Sequence, residues 1–204
     1  MIHGTVKLED GTPVISAQVS IRTHYSGGHG NSYTDNNGEF EYNVNAHELL
    51  NVGVTNQEWA APGIFAYDVG DGSEDKKMDI VLSKGIRIYG KVFMPDGKPA
   101  KGFSLFFEEK DPNTPASYKE TAVRRVIGEY RSDTVTRQTY DSKRDGTGEY
   151  EYYLPAVPRQ YRFFADKNPD EEDSRKLSYY VNDFQLQGDE KEVRVDFHLS
   201  EDGR

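Results

Sequence analysis

Apolar residues recur at every second position along much of this chain. Ala17, Val19 and Ile21 share one phase, as do Phe103, Leu105 and Phe107. In Glu39-Phe40-Glu41-Tyr42 and Glu149-Tyr150-Glu151-Tyr152 the aromatics take one phase and the glutamates the other. Successive side chains of a strand point to opposite faces, so this alternation predicts strands with one buried face. Gly, Asn and Asp turn formers separate the runs at intervals of roughly 8 to 12 residues, the pattern of a β-sandwich with about seven short strands per unit. Helical spacing is scarce. Ala46 to Leu50 fits one turn, and Lys119 to Tyr130 fits a short helix or an extra hairpin. Pro155 and Pro158 cap the strand before them, because proline cannot donate to a ladder.

The pattern occurs twice. Ile2-His3-Gly4-Thr5-Val6 and Asp10-Gly11-Thr12-Pro13 return as Ile88-Tyr89-Gly90-Lys91-Val92 and Asp96-Gly97-Lys98-Pro99, at a constant offset of 86. Asp35-Asn36-Asn37-Gly38-Glu39-Phe40 matches Asp145-Gly146-Thr147-Gly148-Glu149-Tyr150 at an offset of 110, so the second copy carries 24 extra residues, 110 less 86. Leu49 to Thr55 corresponds to Tyr161 to Ala165, and Met78 to Ser83 corresponds to Val195 to Ser200. A repeat of this kind sets the domain organisation. Copy one is expected over 1–84 and copy two over 85–204, with the insertion near 111–140. The boundary at Ser83-Lys84-Gly85 leaves almost no linker, so a semi-rigid tandem is expected. The fold class is all-β: two tandem immunoglobulin-like β-sandwiches.

Composition narrows the function. A length of 204 residues suits two units of about 100, each large enough for its own core. Hydrophobic residues make up only 35% of the chain, but 14 Tyr and 10 Phe supply material for packing. The net charge of −10 argues against a nucleic-acid partner, which needs a basic face. No apolar run is long enough for a membrane span, and no signal peptide is evident. The absence of cysteine excludes disulfides, thiolate nucleophiles and cysteine-ligated zinc. The abrupt start in a strand suggests a piece of a larger polypeptide.

Gly4-Thr5-Val6, then Asp10-Gly11-Thr12-Pro13, an alternating strand, and Thr34-Asp35 through Gly38 to Phe40 resemble the carboxypeptidase regulatory-like module. Copy two, from Lys84 to Val92 and Pro95 to Pro99, resembles it equally. The resemblance implies a transthyretin-like (prealbumin-type) sandwich related to the collagen-adhesin B-type repeats. It also implies an accessory role beside other domains of a larger, bacterial secreted or surface protein, and hence an extracellular, periplasmic or cell-surface location. The matching residues are turn and core residues, and they say little about function.

No catalytic constellation emerges, so an enzyme is not expected, and neither is a cofactor. His24 and His29 have spacing for two zinc ligands, but no third ligand is indicated, and no metal site is expected. Asp35-Asn36-Asn37 and Asp141 to Asp145 offer calcium-type oxygens, yet turns held by Asx hydrogen bonds account for the same residues. The acidic run from Asn168 to Asp173 reads as a solvated hairpin tip. The adhesin resemblance implies isopeptide pairs Lys7 with Asp79 and Lys91 with Asp196, but the helper acids Glu41 and Glu151 occupy the outward phase.

Two functions follow: a spacer bound to neighbouring domains, or a carbohydrate- or other ligand-binding accessory module. For the second, Trp59 is the only tryptophan and lies in a loop-like context beside Phe65 and Tyr67, which together would form a platform for a glycan. The insertion concentrates Arg124, Arg125, Arg131 and Arg137 in an acidic chain, marking either a partner-contact surface or a decorated loop.

Overall fold

Several strand pairs of the first half of the chain recur in the second. The computed structural model describes residues 1–113, 134–140, 147–167 and 177–201, and among them the regular structure is entirely β. Over the first half run β1 (Ile2–Leu8), β2 (Gln18–Thr23), β3 (His29–Tyr33), β4 (Glu39–Tyr42), β5 (Leu49–Asn56), β6 (Trp59–Ala60), β7 (Ile64–Asp68), β8 (Lys76–Lys77) and β9 (Ile80–Lys84). Over the second run β10 (Ile86–Phe93), β11 (Ser104–Lys110), β12 (Thr134–Tyr140), β13 (Glu149–Leu154), β14 (Arg159–Lys167), β15 (Leu177–Leu186), β16 (Glu192–Arg194) and β17 (Phe197–His198).

Strand β1 pairs antiparallel with β4 through Ile2↔Tyr42 and Gly4↔Phe40, and β10 pairs with β13 through Ile88↔Tyr152 and Gly90↔Tyr150. Val6↔Ile80 in the parallel β1–β9 pair returns as Val92↔Phe197 in the parallel β10–β17 pair. Ile21↔Val52 between β2 and β5 returns as Phe107↔Phe163 between β11 and β14. The bridge Lys7↔Pro13 returns as Phe93↔Pro99.

The recurring glycines follow from this packing. A Cβ on Gly4 would stand inside the carbonyl oxygen of Met78, and a Cβ on Gly90 inside that of Val195. Gly38 and Gly148 turn at φ +75° and +68°, and a Cβ there would lie 2.6 Å from Val6 O and 2.5 Å from Val92 O. Only glycine fits a left-handed turn with backbone so close.

Each half holds its own hydrophobic cluster, with no residue shared. The first is aliphatic around Ile2, Val6, Val19, Ile21, Leu50, Val52 and Leu82. The second is aromatic. Phe107 stacks on Tyr152 at 4.9 Å and meets Phe163 edge-on at 5.0 Å, while Tyr150 lies 5.6 Å from Phe197. Burying each such side chain contributes about 1.5–3 kcal/mol.

The sheets of the two halves differ. The second half forms two four-stranded sheets, β13-β10-β16 with β17 also on β10, and β12-β11-β14-β15. The first half forms one hydrogen-bonded path, β3-β2-β5-β6-β9-β1-β4. The cause is β6, which pairs with β5 through Asn56↔Trp59 and with β9 through Trp59↔Lys84 and so ties the two layers together.

Two local expectations are corrected. The helical turn expected over Ala46 to Leu50 is a tight turn with His47 at φ 58°, followed directly by β5. The insertion does not reach 140: β12 pairs with β11 through Leu105↔Thr139 and Phe107↔Arg137, as β3 pairs with β2 through Val19↔Ser32 and Ile21↔Gly30. Residues 134–140 are therefore a sheet strand, placed on β11 as β3 is placed on β2. The segment from Lys119 to Tyr130 lies outside the described residues.

Candidate functional site

The two halves meet with Gly85 alone between β9 and β10. The Gly85 amide donates to Glu58 O at 2.8 Å, and a side chain there would collide with Leu154 O at 2.7 Å, so glycine lets the two backbones touch. Lys84 Nζ pairs with Glu58 at 3.2 Å, and the hydroxyls of Thr55 and Tyr152 bond across the junction at 3.2 Å.

A further tie is buried. Glu109 is fully shielded from solvent, and its Oε1 accepts the Gly63 amide of the first half at 2.9 Å and Arg159 Nε at 3.1 Å. A carboxylate loses its hydration when buried, and a charged partner with a backbone donor offsets that cost. Glu109 continues the inward phase of Leu105 and Phe107 at the end of β11. The matching position on β2 is Thr23, 109 less 86, which accepts the Gly28 amide within its own half.

Beside these ties lies an open cleft of about 440 Å³, lined by Thr55, Gln57 and Glu58 from the first half and by Glu151, Tyr152 and Tyr153 from the second. Its charges are paired at the rim. Arg87 binds Glu151 at 2.7 Å and Glu192 at 3.1 Å while lying 4.4 Å over the Tyr89 ring, and the bonds to Glu151 hold its guanidinium more firmly protonated. Tyr153 donates to Glu151 at 3.0 Å; desolvation and this bond raise its phenol above the ordinary range. Gln57 occupies the first position of the two-residue β5–β6 turn at φ 49°.

The sequence-derived candidates fall elsewhere. Trp59 is not in a loop: it lies in β6, half-buried against the first cluster, because the short strand needs it between β5 and β9. Tyr67 also packs on that cluster from β7, and Phe65, on the same strand, is half-buried. No ring pair among the described residues joins the three. Of the arginines, Arg124, Arg125 and Arg131 lie outside the described residues, as do Asp141 to Asp145 and the run from Asn168 to Asp173. Arg137 stands opposite Phe107 in β12, an edge strand that comes against β5 and β7 of the first half.

His24 is buried and bonds Asn51 Oδ1 at 2.8 Å, whereas His29 is exposed on edge strand β3. No group of three or more His, Asp and Glu placed to hold a metal occurs among the described residues. The Asp35 Oδ1 is engaged by the amides of Asn37 and Glu39, both at 2.8 Å. Asp79 is held by Thr5 Oγ1 at 2.9 Å and Lys77 at 2.7 Å, with Lys7 exposed, and Lys91 Nζ pairs with Glu149 at 3.1 Å rather than with Asp196.

Comparison with known proteins gives distant structural neighbours. No family model matches the chain, and no curated protein matches it. Among solved structures, the TIE protein of Bacillus anthracis overlays 97% of this chain and 32% of its own at 12% identity and a TM-score of 0.34. A streptococcal ancillary pilin overlays 96% and 61% at 12% identity and 0.29. A DUF3823 family protein from Bacteroides ovatus overlays 91% and 97% at 11% identity and 0.32. The chain thus spans about a third of the first neighbour and three-fifths of the second. Scores of this size transfer no function. No helix among the described residues is long and apolar enough to cross a membrane. This chain is all-β with several sheets among the described residues.

Proposed function

We propose that this chain is a non-catalytic spacer or accessory module of a larger, secreted or cell-surface bacterial protein, built of two tandem transthyretin-like β-sandwich copies over 1–84 and 85–204. The carboxypeptidase regulatory-like resemblance belongs to this reading. One observation carries it: the duplicated motif residues are consumed by backbone packing and turns, and the junction joins the copies through a single glycine and the buried Glu109 tie. A spacer needs just this, a fixed angle between units that each supply their own core.

Spin labels provide the test, since the chain has no cysteine of its own. Glu74→Cys and Gln187→Cys place one label on an exposed site of each copy. A single narrow distance distribution is expected; a broad one covering tens of ångströms contradicts a rigid spacer.

A further inference from the structure

We propose that the junction cleft is a binding site for a neutral saccharide chain, recognised by groups from both copies at once. This goes beyond the spacer reading and rests on the fixed junction which that reading requires.

The walls are preformed, because the Gly85–Glu58 and Thr55–Tyr152 bonds hold the two sides of the cleft together without a ligand. Its volume of about 440 Å³ lies within the range of small-ligand sites, roughly 300–1,000 Å³. Its charge pattern selects the ligand class. Glu58 is paired with Lys84 and Glu151 with Arg87, so an anionic ligand meets two carboxylates, and a cationic one must displace a lysine or an arginine. A ligand without charge avoids both costs. Glu58 is paired through Oε2, and its carboxylate can still accept a hydrogen bond from a hydroxyl group through its other oxygen. The Tyr152 and Tyr153 hydroxyls and the Gln57 amide add donors and acceptors, and the half-buried Tyr153 ring gives an apolar wall for the C–H face of a sugar.

Gln57 adds an independent indication. The first position of this tight turn favours glycine, and a left-handed φ of 49° costs a side-chain-bearing residue about 1–2 kcal/mol. The chain nevertheless presents an exposed amide there, on the lip of the cleft, and that amide makes no hydrogen bond among the described residues.

The test is NMR titration of the intact chain with cellotetraose, xylotetraose, mannotetraose and maltotetraose, and with tetragalacturonic acid as the anionic comparison. At least one neutral probe is expected to give saturable shifts at Gln57 and Tyr153 with a Kd of about 1 mM or tighter. Gln57→Gly and Tyr153→Ala should each weaken that probe about tenfold while the protein stays folded, Gln57→Gly with unchanged or higher stability. Saturation by no neutral probe, preference for the galacturonate, or unchanged affinity in both variants overturns the proposal. None of these results alters the inter-copy distance distribution, so failure here and failure of the spacer reading are distinguishable.

Discussion

Glu109 reaches out of the second half of the chain to accept the Gly63 amide of the first half at 2.9 Å, and its carboxylate is fully buried where it does so. A charge in that position binds the copies only while all its bonds are intact. Glu109→Ala leaves the Gly63 amide and the Arg159 guanidinium without this acceptor, and the expected loss is about 3 kcal/mol in urea unfolding. Glu109→Gln keeps an acceptor for Gly63 and should lose about 1 kcal/mol. The alanine variant should also broaden the spin-label distances. A loss under about 0.5 kcal/mol shows that the tie contributes nothing.

Gly4 and Gly90 occupy one structural position in two settings. Each lies against a carbonyl oxygen of the short link between two strands, Met78 between β8 and β9 in the first half and Val195 between β16 and β17 in the second. Backbone cannot yield as a flexible side chain does, so Gly4→Ala and Gly90→Ala should each destabilise by about 3 kcal/mol or more. Differential scanning calorimetry should show the loss in both variants. A neutral effect at either site separates the two copies.

Glu48 makes the stability of the first copy depend on acid. Burial pushes its carboxyl upward, but bonds from the Ser26 side chain and the Tyr25 and Ser26 amides, together with His24, outweigh it and leave the group below its ordinary value. A carboxyl depressed in the folded state stabilises fully above its unfolded pKa of about 4.3, and the contribution disappears as pH falls through the folded value. Glu48→Gln should therefore cost about 1–2 kcal/mol at neutral pH. The gap from wild type should close in urea titrations as pH falls below the ordinary carboxylate range. A gap independent of pH contradicts the assignment.

Period-two alternation made most of the strands legible, because one face of each is buried. The repeat was legible for a steric reason: Gly4, Gly38 and their counterparts are fixed by backbone approach, and the spacing between them is fixed by register. Strand β12 escaped because Thr134-Val135-Thr136-Arg137-Gln138-Thr139-Tyr140 lies at a sheet edge and lacks a clean apolar phase. Trp59 was misplaced because a two-residue strand followed by Pro62-Gly63 looks like a loop. The cleft was not legible, since Gln57 and Tyr153 are brought together only when the copies dock. One signal for the junction was present: a glutamate continuing the Leu105-Phe107 phase must find buried partners, and Glu109 finds Arg159 in its own half and the Gly63 amide in the other.

The duplication is tested most directly by expressing residues 1–84 and 85–204 separately and following thermal unfolding of each by circular dichroism. Two modules with separate cores predict that each piece has strand-type spectra and its own cooperative transition, at a lower midpoint than in the joined chain because the Glu109–Gly63 tie is gone. Pieces that remain unfolded alone and gain structure only when mixed would show one indivisible fold, and the account of two modules would be wrong.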